Sequence, residues 1–164
     1  MDLTEALLDR AARLLDRLRA QRMMLATAES CTGGLVAGGL TAIAGSSDVV
    51  ERGFVTYSNA AKAELLGVPP SLIAKHGAVS AQVARAMAEG ALSRAPVDVT
   101  IAVTGIAGPG GASPGKPVGL VHFGLAVHGA APRTERRVFA GDRSAVRAQA
   151  LRLALQLLLA GAEA

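Results

Sequence analysis

The order of apolar and polar residues predicts alternating helices and strands along this chain. Over residues 2–22, four leucines share one helical face and charged residues occupy the other, as in an amphipathic helix packed on a domain. Short apolar runs at 23–28 and 53–57 predict strands, and the uninterrupted run at 97–104 predicts a strand in the middle of a covered sheet. The four leucines are Leu3, Leu7, Leu14 and Leu18.

The remaining runs complete the order of elements. Their periodicity predicts helices over 32–42, 59–66 and 80–93, and a last helix that follows a capping Asp142. Two strands at 118–127 and 133–139 are close enough in sequence to form a hairpin around Gly129.

This order predicts an α/β protein, a three-layer α/β/α sandwich with a mixed, mostly parallel sheet, in a single domain over residues 1–164. The prolines at 69 and 70 are expected to end the helix over 59–66 and to leave His76 in a loop. The last helix is expected to turn four residues inward: Val146, Ala150, Leu153 and Leu157.

Composition narrows the class of protein. A hydrophobic content of 51% with 18% charged residues indicates a compact globular domain. The net charge of +4 suggests nucleic acid, but five of the arginines lie among acidic residues on the first helix, which is typical of a solvated, ion-paired face. Aromatic residues make up only 2% of the chain, too few for a platform that stacks bases. We therefore expect no nucleic-acid partner.

Targeting and redox signals are weak. A lone cysteine excludes an internal disulfide, and the acidic N-terminus lacks the basic and apolar segments of a signal peptide. Residues 30–47 carry no charge, but five glycines interrupt them, so they do not predict a membrane span. We expect a cytoplasmic protein without a membrane partner.

The segment Ala28-Glu29-Ser30-Cys31-Thr32-Gly33-Gly34 joins a predicted strand to a predicted helix. Its hydroxyls and thiol stand where a helix exposes unpaired N–H groups, which can hold an anion or an oxyanion. The same residues could also serve only as a helix cap and a close-packing turn.

A second strand end carries Tyr57-Ser58-Asn59-Ala60-Ala61-Lys62, with the only Tyr and the only Asn of the chain. Lys62 is one of three lysines in a chain that otherwise uses arginine, and lysine, unlike arginine, can lose its proton to act as a base. If the two strands run parallel, Ser30 and Lys62 meet at one sheet edge. Lys62 could instead pair at the surface with Glu64 or Asp48.

Two further segments offer anion contacts. The loop over 104–111 follows the predicted central strand and could present backbone N–H groups from Thr104 and Gly105 onward. Residues 110–117 match the glycines and lysine of a P-loop, but Pro117 replaces the hydroxyl residue and a strand follows, so that interpretation fails. Arg143 and Arg147, one turn apart, could clamp a phosphate or pair with Asp142 or Glu135.

Metal chemistry is not indicated, because no cluster of ligands surrounds His76, His122 or His128. Ser30 lacks the flanking glycines of a nucleophile elbow, and the spacing from Ser58 to Lys62 does not match S-x-x-K. Cys31 is an alternative nucleophile, but cysteine often fills a core, and Ser30 is preferred.

Several segments together resemble the CinA C-terminal domain family, the nicotinamide-nucleotide amidases, and the likeness runs from about residue 3 to the end. The segments, in order, are AESCTGG (28–34), GSSD (45–48), YSNAAK (57–62) with LLGV (65–68), GAVS (77–80), TGIAGP (104–109), KPVG (116–119) and GDR (141–143). The resemblance implies the same three-layer fold and hydrolysis of the carboxamide of nicotinamide mononucleotide to nicotinate mononucleotide and ammonia, in pyridine nucleotide salvage. Many relatives carry an additional N-terminal domain, and we expect this chain to be the stand-alone form.

The family's Ser–Lys pair, which works without metal or cofactor, maps onto Ser30 and Lys62. On this basis neutral Lys62 takes the Ser30 proton, directly or through Tyr57, and an acyl-enzyme forms. Backbone N–H groups from Cys31 through Thr32 to Gly33 would hold the oxyanion.

For the substrate, Asn59 would orient the amide, and the loop from Thr104 and Gly105, with Arg143, would hold ribose and phosphate. A non-catalytic nucleotide-sensing or partner-binding module is the alternative function, and DNA association is a third. The apolar helices favour a homo-oligomer, such as a dimer.

Overall fold

The computed structural model describes residues 3–163, and within them the chain forms six α-helices and five β-strands. A 3-10 turn at Ser46–Asp48 precedes the second strand. The helices are α1 (Glu5–Ala20), α2 (Leu35–Thr41), α3 (Asn59–Leu66), α4 (Pro70–His76), α5 (Ala81–Arg94) and α6 (Arg143–Glu163). The strands are β1 (Leu25–Glu29), β2 (Val50–Val55), β3 (Val99–Gly105), β4 (Leu120–Val127) and β5 (Arg133–Val138).

The sheet has the order β2-β1-β3-β4-β5. β1 pairs in parallel with both β2 and β3, whereas β4 is antiparallel to β3 and to β5. Four strands therefore point one way, and only β4 is reversed. β3 lies in the middle, as its apolar run predicts, and the predicted hairpin forms between β4 and β5.

Helices cover both faces of this sheet, which gives the three predicted layers. The larger core packs α1, α2 and α6 on one face through residues such as Leu14, Leu40 and Leu151. The smaller core packs α3, α4 and α5 on the other through Leu66 and Met87. The predicted α/β/α sandwich is confirmed.

Several predicted boundaries are wrong for local reasons. The first helix begins at Glu5 after a Thr4 cap, and its predicted start at residue 2 lies outside the described residues. α2 begins at Leu35 rather than 32, because Gly33 and Gly34 take positive φ angles of 55° and 103° and keep the chain in a turn. β2 begins at Val50 rather than at residue 53 and ends at Val55, since Ser58 already caps α3.

Two helix predictions are also corrected. Residues 70–76 form helix α4 instead of a loop, so His76 ends a helix, because Pro70 occupies a first-turn position where its missing N–H costs nothing. In α6, Val146 and Ala150 are buried as predicted, but Leu153 and Leu157 are only half-buried. Ala154 and Leu158 take the inward positions. The leucines of α6 are distributed around all of its faces, so their spacing does not select the buried one.

Within residues 3–163 no helix is long and apolar enough to cross a membrane.

Candidate active site

A cavity of about 230 Å³ opens where β1 and β3 end, beside the first turn of α3. Eight of the ten predicted site residues line it, and Thr32 and Gly33 do not. The predicted residues in its wall are Ser30, Cys31, Tyr57, Asn59, Lys62, Thr104, Gly105 and Arg143, and Ala78, Val79 and Ala107 complete it.

Lys62 and Ser30 are in direct contact in this cavity. Lys62 Nζ donates a hydrogen bond to Ser30 Oγ at 3.0 Å and another to the Thr56 carbonyl oxygen at 2.9 Å. Lys62 is 1% exposed and Ser30 is 9% exposed. Burial lowers the pKa of Lys62, because the charged ammonium loses its hydration. The contact therefore joins a hydroxyl to an amine that is biased toward its neutral, basic form.

The strand ends bring these two residues together. Ser30 follows β1, and its N–H still donates to Val103 O of β3 at 2.8 Å. Lys62 lies in the first turn of α3, which Ser58 caps with its side chain. Because β1 and β2 run parallel, the segments that follow them meet at one edge. The surface pairing considered for Lys62 does not form, since Asp48 binds Arg19 instead.

Glu29 was missed by sequence reasoning. Its fully buried carboxylate accepts the Val36 N–H at 2.8 Å and the Ala37 N–H at 3.1 Å. Two N–H groups in the first turn of α2 are therefore already hydrogen-bonded within the protein. The expectation that this helix end offers its N–H groups to a bound anion is therefore wrong. A glutamate at the end of a mostly apolar strand, just before a helix, was the signal that could have found this contact.

The donors for an oxyanion are fewer than predicted. The Gly33 N–H donates to Ser30 O at 3.0 Å and is already used. Among the described residues, the N–H groups of Cys31 and Thr32 have no hydrogen-bond acceptor. Cys31 lines the cavity, whereas Thr32 is fully buried and does not, so the Cys31 N–H is the predicted donor that a ligand can reach.

Cys31 is a buried thiol, 6% exposed. Burial raises its pKa to about 12, so the sulfur remains protonated and weakly nucleophilic at neutral pH. The geometry thus favours Ser30 over Cys31 as the nucleophile.

Tyr57 and Arg143 meet at the rim of the cavity. Arg143 Nη2 donates to Tyr57 Oη at 3.0 Å, and Nη1 donates to Gly108 O at 2.9 Å. Tyr57 is 62% exposed, and Lys62 reaches Ser30 without it. A proton relay through Tyr57 is therefore not needed.

Arg147 does not line the cavity. Its Nε donates to Cys31 O at 3.1 Å and its Nη2 to Thr32 O at 3.3 Å. Neither arginine pairs with the carboxylates considered for them, because Asp142 caps α6 and Glu135 binds Arg137. Arg143 and Arg147 thus face different surroundings and do not form one clamp.

The loop after β3 is anchored at several points. Thr104 Oγ1 donates to Ala78 O at 2.9 Å, and Lys116 Nζ donates to His76 O at 2.6 Å. Lys116 therefore holds the end of α4 and does not line the cavity. Within residues 3–163 no group of three or more His, Cys, Asp or Glu side chains could hold a metal ion.

The family model described as the CinA C-terminal domain matches residues 8–161. The chain belongs to this family. The resemblance carried by the motifs is thereby confirmed.

Relatives of similar length carry one enzyme name. Nicotinamide-nucleotide amidohydrolase PncC of Escherichia coli (strain K12) is 53% identical over 141 residues, which cover 86% of each chain. The protein of that name from Enterobacter agglomerans is 54% identical over 142 residues, 87% of each chain. Other family members are longer: this chain spans 34% of a putative competence-damage inducible protein of Caldicellulosiruptor bescii, at 49% identity over 141 residues.

Solved structures of the CinA C-terminal domain family share the fold. The competence/damage inducible protein CihA from Agrobacterium tumefaciens superposes with a TM-score of 0.94 at 45% identity, over 98% of each chain. A CinA superfamily protein from Escherichia coli gives 0.90 at 40% identity, over 98% of this chain and 94% of that one.

Proposed function

We propose that this protein is an amidohydrolase that converts the carboxamide of nicotinamide mononucleotide to nicotinate mononucleotide and ammonia. The observation that carries the proposal is the buried 3.0 Å contact between Lys62 Nζ and Ser30 Oγ in an open cavity. Relatives that match this chain over 86–87% of both lengths bear the name of that activity, which supports the choice of substrate.

The reaction begins with neutral Lys62. A neutral amine has one lone pair and two N–H groups, and the Thr56 carbonyl can only accept, so it takes an N–H and leaves the lone pair for the Ser30 proton. Ser30 Oγ attacks the carboxamide carbon as its proton passes to Lys62. The negative oxygen that forms is held by the Cys31 N–H, a contact worth ~3 kcal/mol by analogy with other oxyanion donors.

Collapse of the tetrahedral intermediate breaks the C–N bond. Lys62, now an ammonium, returns its proton to the leaving nitrogen, which departs as ammonia and leaves an ester on Ser30. Water attacks this ester with neutral Lys62 as the base, and Lys62 then passes that proton to Ser30 Oγ as the ester bond breaks. The product leaves as a carboxylic acid, which gives its remaining proton to the ammonia or to solvent and becomes the carboxylate. Each proton that Lys62 takes up is given back within the same half-reaction.

Thr104 supports the wall of the cavity. Its side chain is fully buried, and its hydroxyl donates to Ala78 O at 2.9 Å, which ties the end of β3 to the segment before α5. Both Thr104 and Ala78 belong to the cavity wall, so this bond would fix the shape of the space that the nucleotide occupies.

The phosphate end of the substrate would bind Arg143, since Lys62, the other basic side chain that the described residues place in the cavity wall, is engaged with Ser30 and Thr56. The Arg143 guanidinium has two bonds to neutral acceptors, Tyr57 Oη and Gly108 O, which a charged phosphate can supplement or replace. A further cavity of about 320 Å³ shares Ala107 and Arg143 with the first and gives room beyond it. Asn59, which also lines the cavity, would orient the amide.

An ammonia-release assay with nicotinamide mononucleotide tests the function. Ser30→Ala should abolish release while calorimetry still detects nucleotide binding, and Ser93→Ala, an exposed serine of α5, should leave the rate unchanged. Normal turnover by Ser30→Ala would contradict the mechanism. Nucleotide binding without turnover by the wild-type protein would favour the non-catalytic sensing module.

A further inference from the structure

Arg147 connects α6 to the turn that follows Ser30. Although 116 residues separate them, Arg147 Nε donates to Cys31 O at 3.1 Å, and Nη2 donates to Thr32 O at 3.3 Å. Among the described residues no carboxylate forms an ion pair with Arg147. This half-buried cation is therefore committed to two consecutive backbone carbonyls beside the nucleophile.

These two bonds set the direction of two peptide groups. In a trans peptide the C=O and the following N–H point in opposite directions. With Thr32 O held by Arg147, the Gly33 N–H points away from Arg147, and it donates to Ser30 O. The bond to Cys31 O fixes the preceding peptide group in the same way. Ser30 O shares a peptide group with the Cys31 N–H, so the bond from Gly33 turns the Cys31 N–H to the opposite side. This N–H is the donor left for an oxyanion in the cavity that Cys31 lines.

The charge of Arg147 adds to this orientation. A cation bound to a carbonyl polarises the peptide group, and hydrogen bonds in a chain strengthen one another. The Gly33 N–H therefore binds Ser30 O more strongly, and the Cys31 N–H becomes a better donor. The planar guanidinium reaches both carbonyls from one rigid fork, whereas a lysine ammonium supplies a point charge on a flexible stem.

We propose that Arg147 is a positioning residue of the amidase site, which aims the Cys31 N–H at the oxyanion by holding the carbonyls of Cys31 and Thr32 and, through them, the turn that follows Ser30. The inference rests on the proposed function, since the oxyanion forms in the proposed amidase reaction. The turn that Arg147 holds follows Ser30 directly, however, so the same positioning would apply to any substrate that Ser30 attacks. This positioning role replaces the interpretation of Arg147 as half of a phosphate clamp. The Arg147 side chain bonds the backbone carbonyls of the turn and does not line the cavity.

The test compares Arg147→Ala and Arg147→Lys with Arg152→Ala, a matched change at an exposed arginine of the same helix. Ammonia release from nicotinamide mononucleotide is measured together with thermal unfolding. We expect kcat of Arg147→Ala to fall by about 10²-fold with little change in KM, as for a small displacement of a catalytic group. Arg147→Lys should recover only part of the loss, millimolar guanidinium chloride should partly restore Arg147→Ala, and Arg152→Ala should match the wild type.

Two outcomes would overturn the inference. Unchanged kcat per folded molecule, with only a lower melting temperature, would reduce Arg147 to a structural role. A rise in KM for the nucleotide, absent with the nucleoside that lacks the phosphate, would restore the phosphate clamp.

A reagent that bypasses the natural substrate separates this inference from the proposed function. A fluorophosphonate probe labels an activated serine and places a negative oxygen where the oxyanion would form. If the wild-type protein does not hydrolyse the nucleotide but labels at Ser30, the proposed substrate fails, and slower labelling of Arg147→Ala still supports the positioning role. Equal labelling rates in wild type and Arg147→Ala would refute that role.

Discussion

Lys62 Nζ lies 3.0 Å from Ser30 Oγ and 2.9 Å from the carbonyl oxygen of Thr56. The carbonyl has no proton to give, so it binds one N–H of the amine in either protonation state and fixes the amine beside the serine. A base in this position needs no relay. What remains to be tested is whether the amine works by its lone pair or only by its charge.

Replacing Lys62 with arginine separates these roles. Arginine keeps the positive charge but does not lose its proton at accessible pH, so it cannot act as a base. We expect Lys62→Arg and the uncharged Lys62→Met to lose ammonia release alike, by about 10²–10⁴-fold, the usual contribution of a general base. Substantial activity in Lys62→Arg alone would show that the charge is sufficient. Circular dichroism checks that both variants fold.

The pH–rate profile should report the same group. Since only neutral Lys62 accepts the Ser30 proton, kcat/KM should rise with pH along a limb whose apparent pKa lies below 10.5, because burial lowers the pKa of Lys62 from that value. A rate that falls as pH rises through this range would contradict the assignment.

Stability should change with pH in the same direction. In the pH range between the lowered folded-state pKa of Lys62 and 10.5, the unfolded chain binds more protons at this site than the folded chain. The free energy of unfolding should therefore rise with pH through that range. Urea denaturation at several pH values should show that this rise is smaller in Lys62→Met than in the wild type.

Cys31 is expected to be chemically inert in the folded protein. With its pKa raised to about 12, the thiolate fraction near pH 8 is about three orders of magnitude below that of an unperturbed thiol, and iodoacetamide should react correspondingly slowly. Denaturation in urea should restore normal alkylation. Cys31→Ala should keep most of the ammonia release. If Cys31→Ala instead loses ammonia release while Ser30→Ala retains it, Cys31 is the nucleophile.

Contacts at the ends of predicted strands could be anticipated from the sequence. Ser30 and Lys62 are expected at one edge on the condition that their two strands run parallel, and β1 and β2 meet this condition. Local chemistry also predicted the Asp142 cap, which binds the Ala145 N–H at 2.9 Å. Each of these inferences needs only the order of the elements and the residues at their ends.

Contacts that depend on how distant elements pack could not be anticipated in this way. Arg147 meets Cys31 and Thr32 because α6 crosses the face of the sheet that carries α2, and no spacing in the sequence encodes that distance. Pro69 and Pro70 were interpreted only as the end of α3, whereas Pro70 also begins α4, because Pro can begin a helix as well as end one. Arg143 and Arg147 were predicted to clamp one phosphate because they lie one turn apart on one helix, and this spacing does not show what each side chain contacts.

The position of Lys62 depends on a close approach between α3 and α5. A Cβ at Gly90 of α5 would lie 2.0 Å from the backbone oxygen of Leu66, one turn after Lys62 on α3. Gly90→Ala should therefore push α3 outward, destabilise the protein by about 1–3 kcal/mol and lower kcat as the amine moves from Ser30. Gly38→Ala on α2 is the control: nothing lies within 4 Å of its Cβ, so urea denaturation should show a gain of about 0.5–1 kcal/mol and unchanged activity. If both substitutions behave alike, the contact between α3 and α5 does not constrain the site.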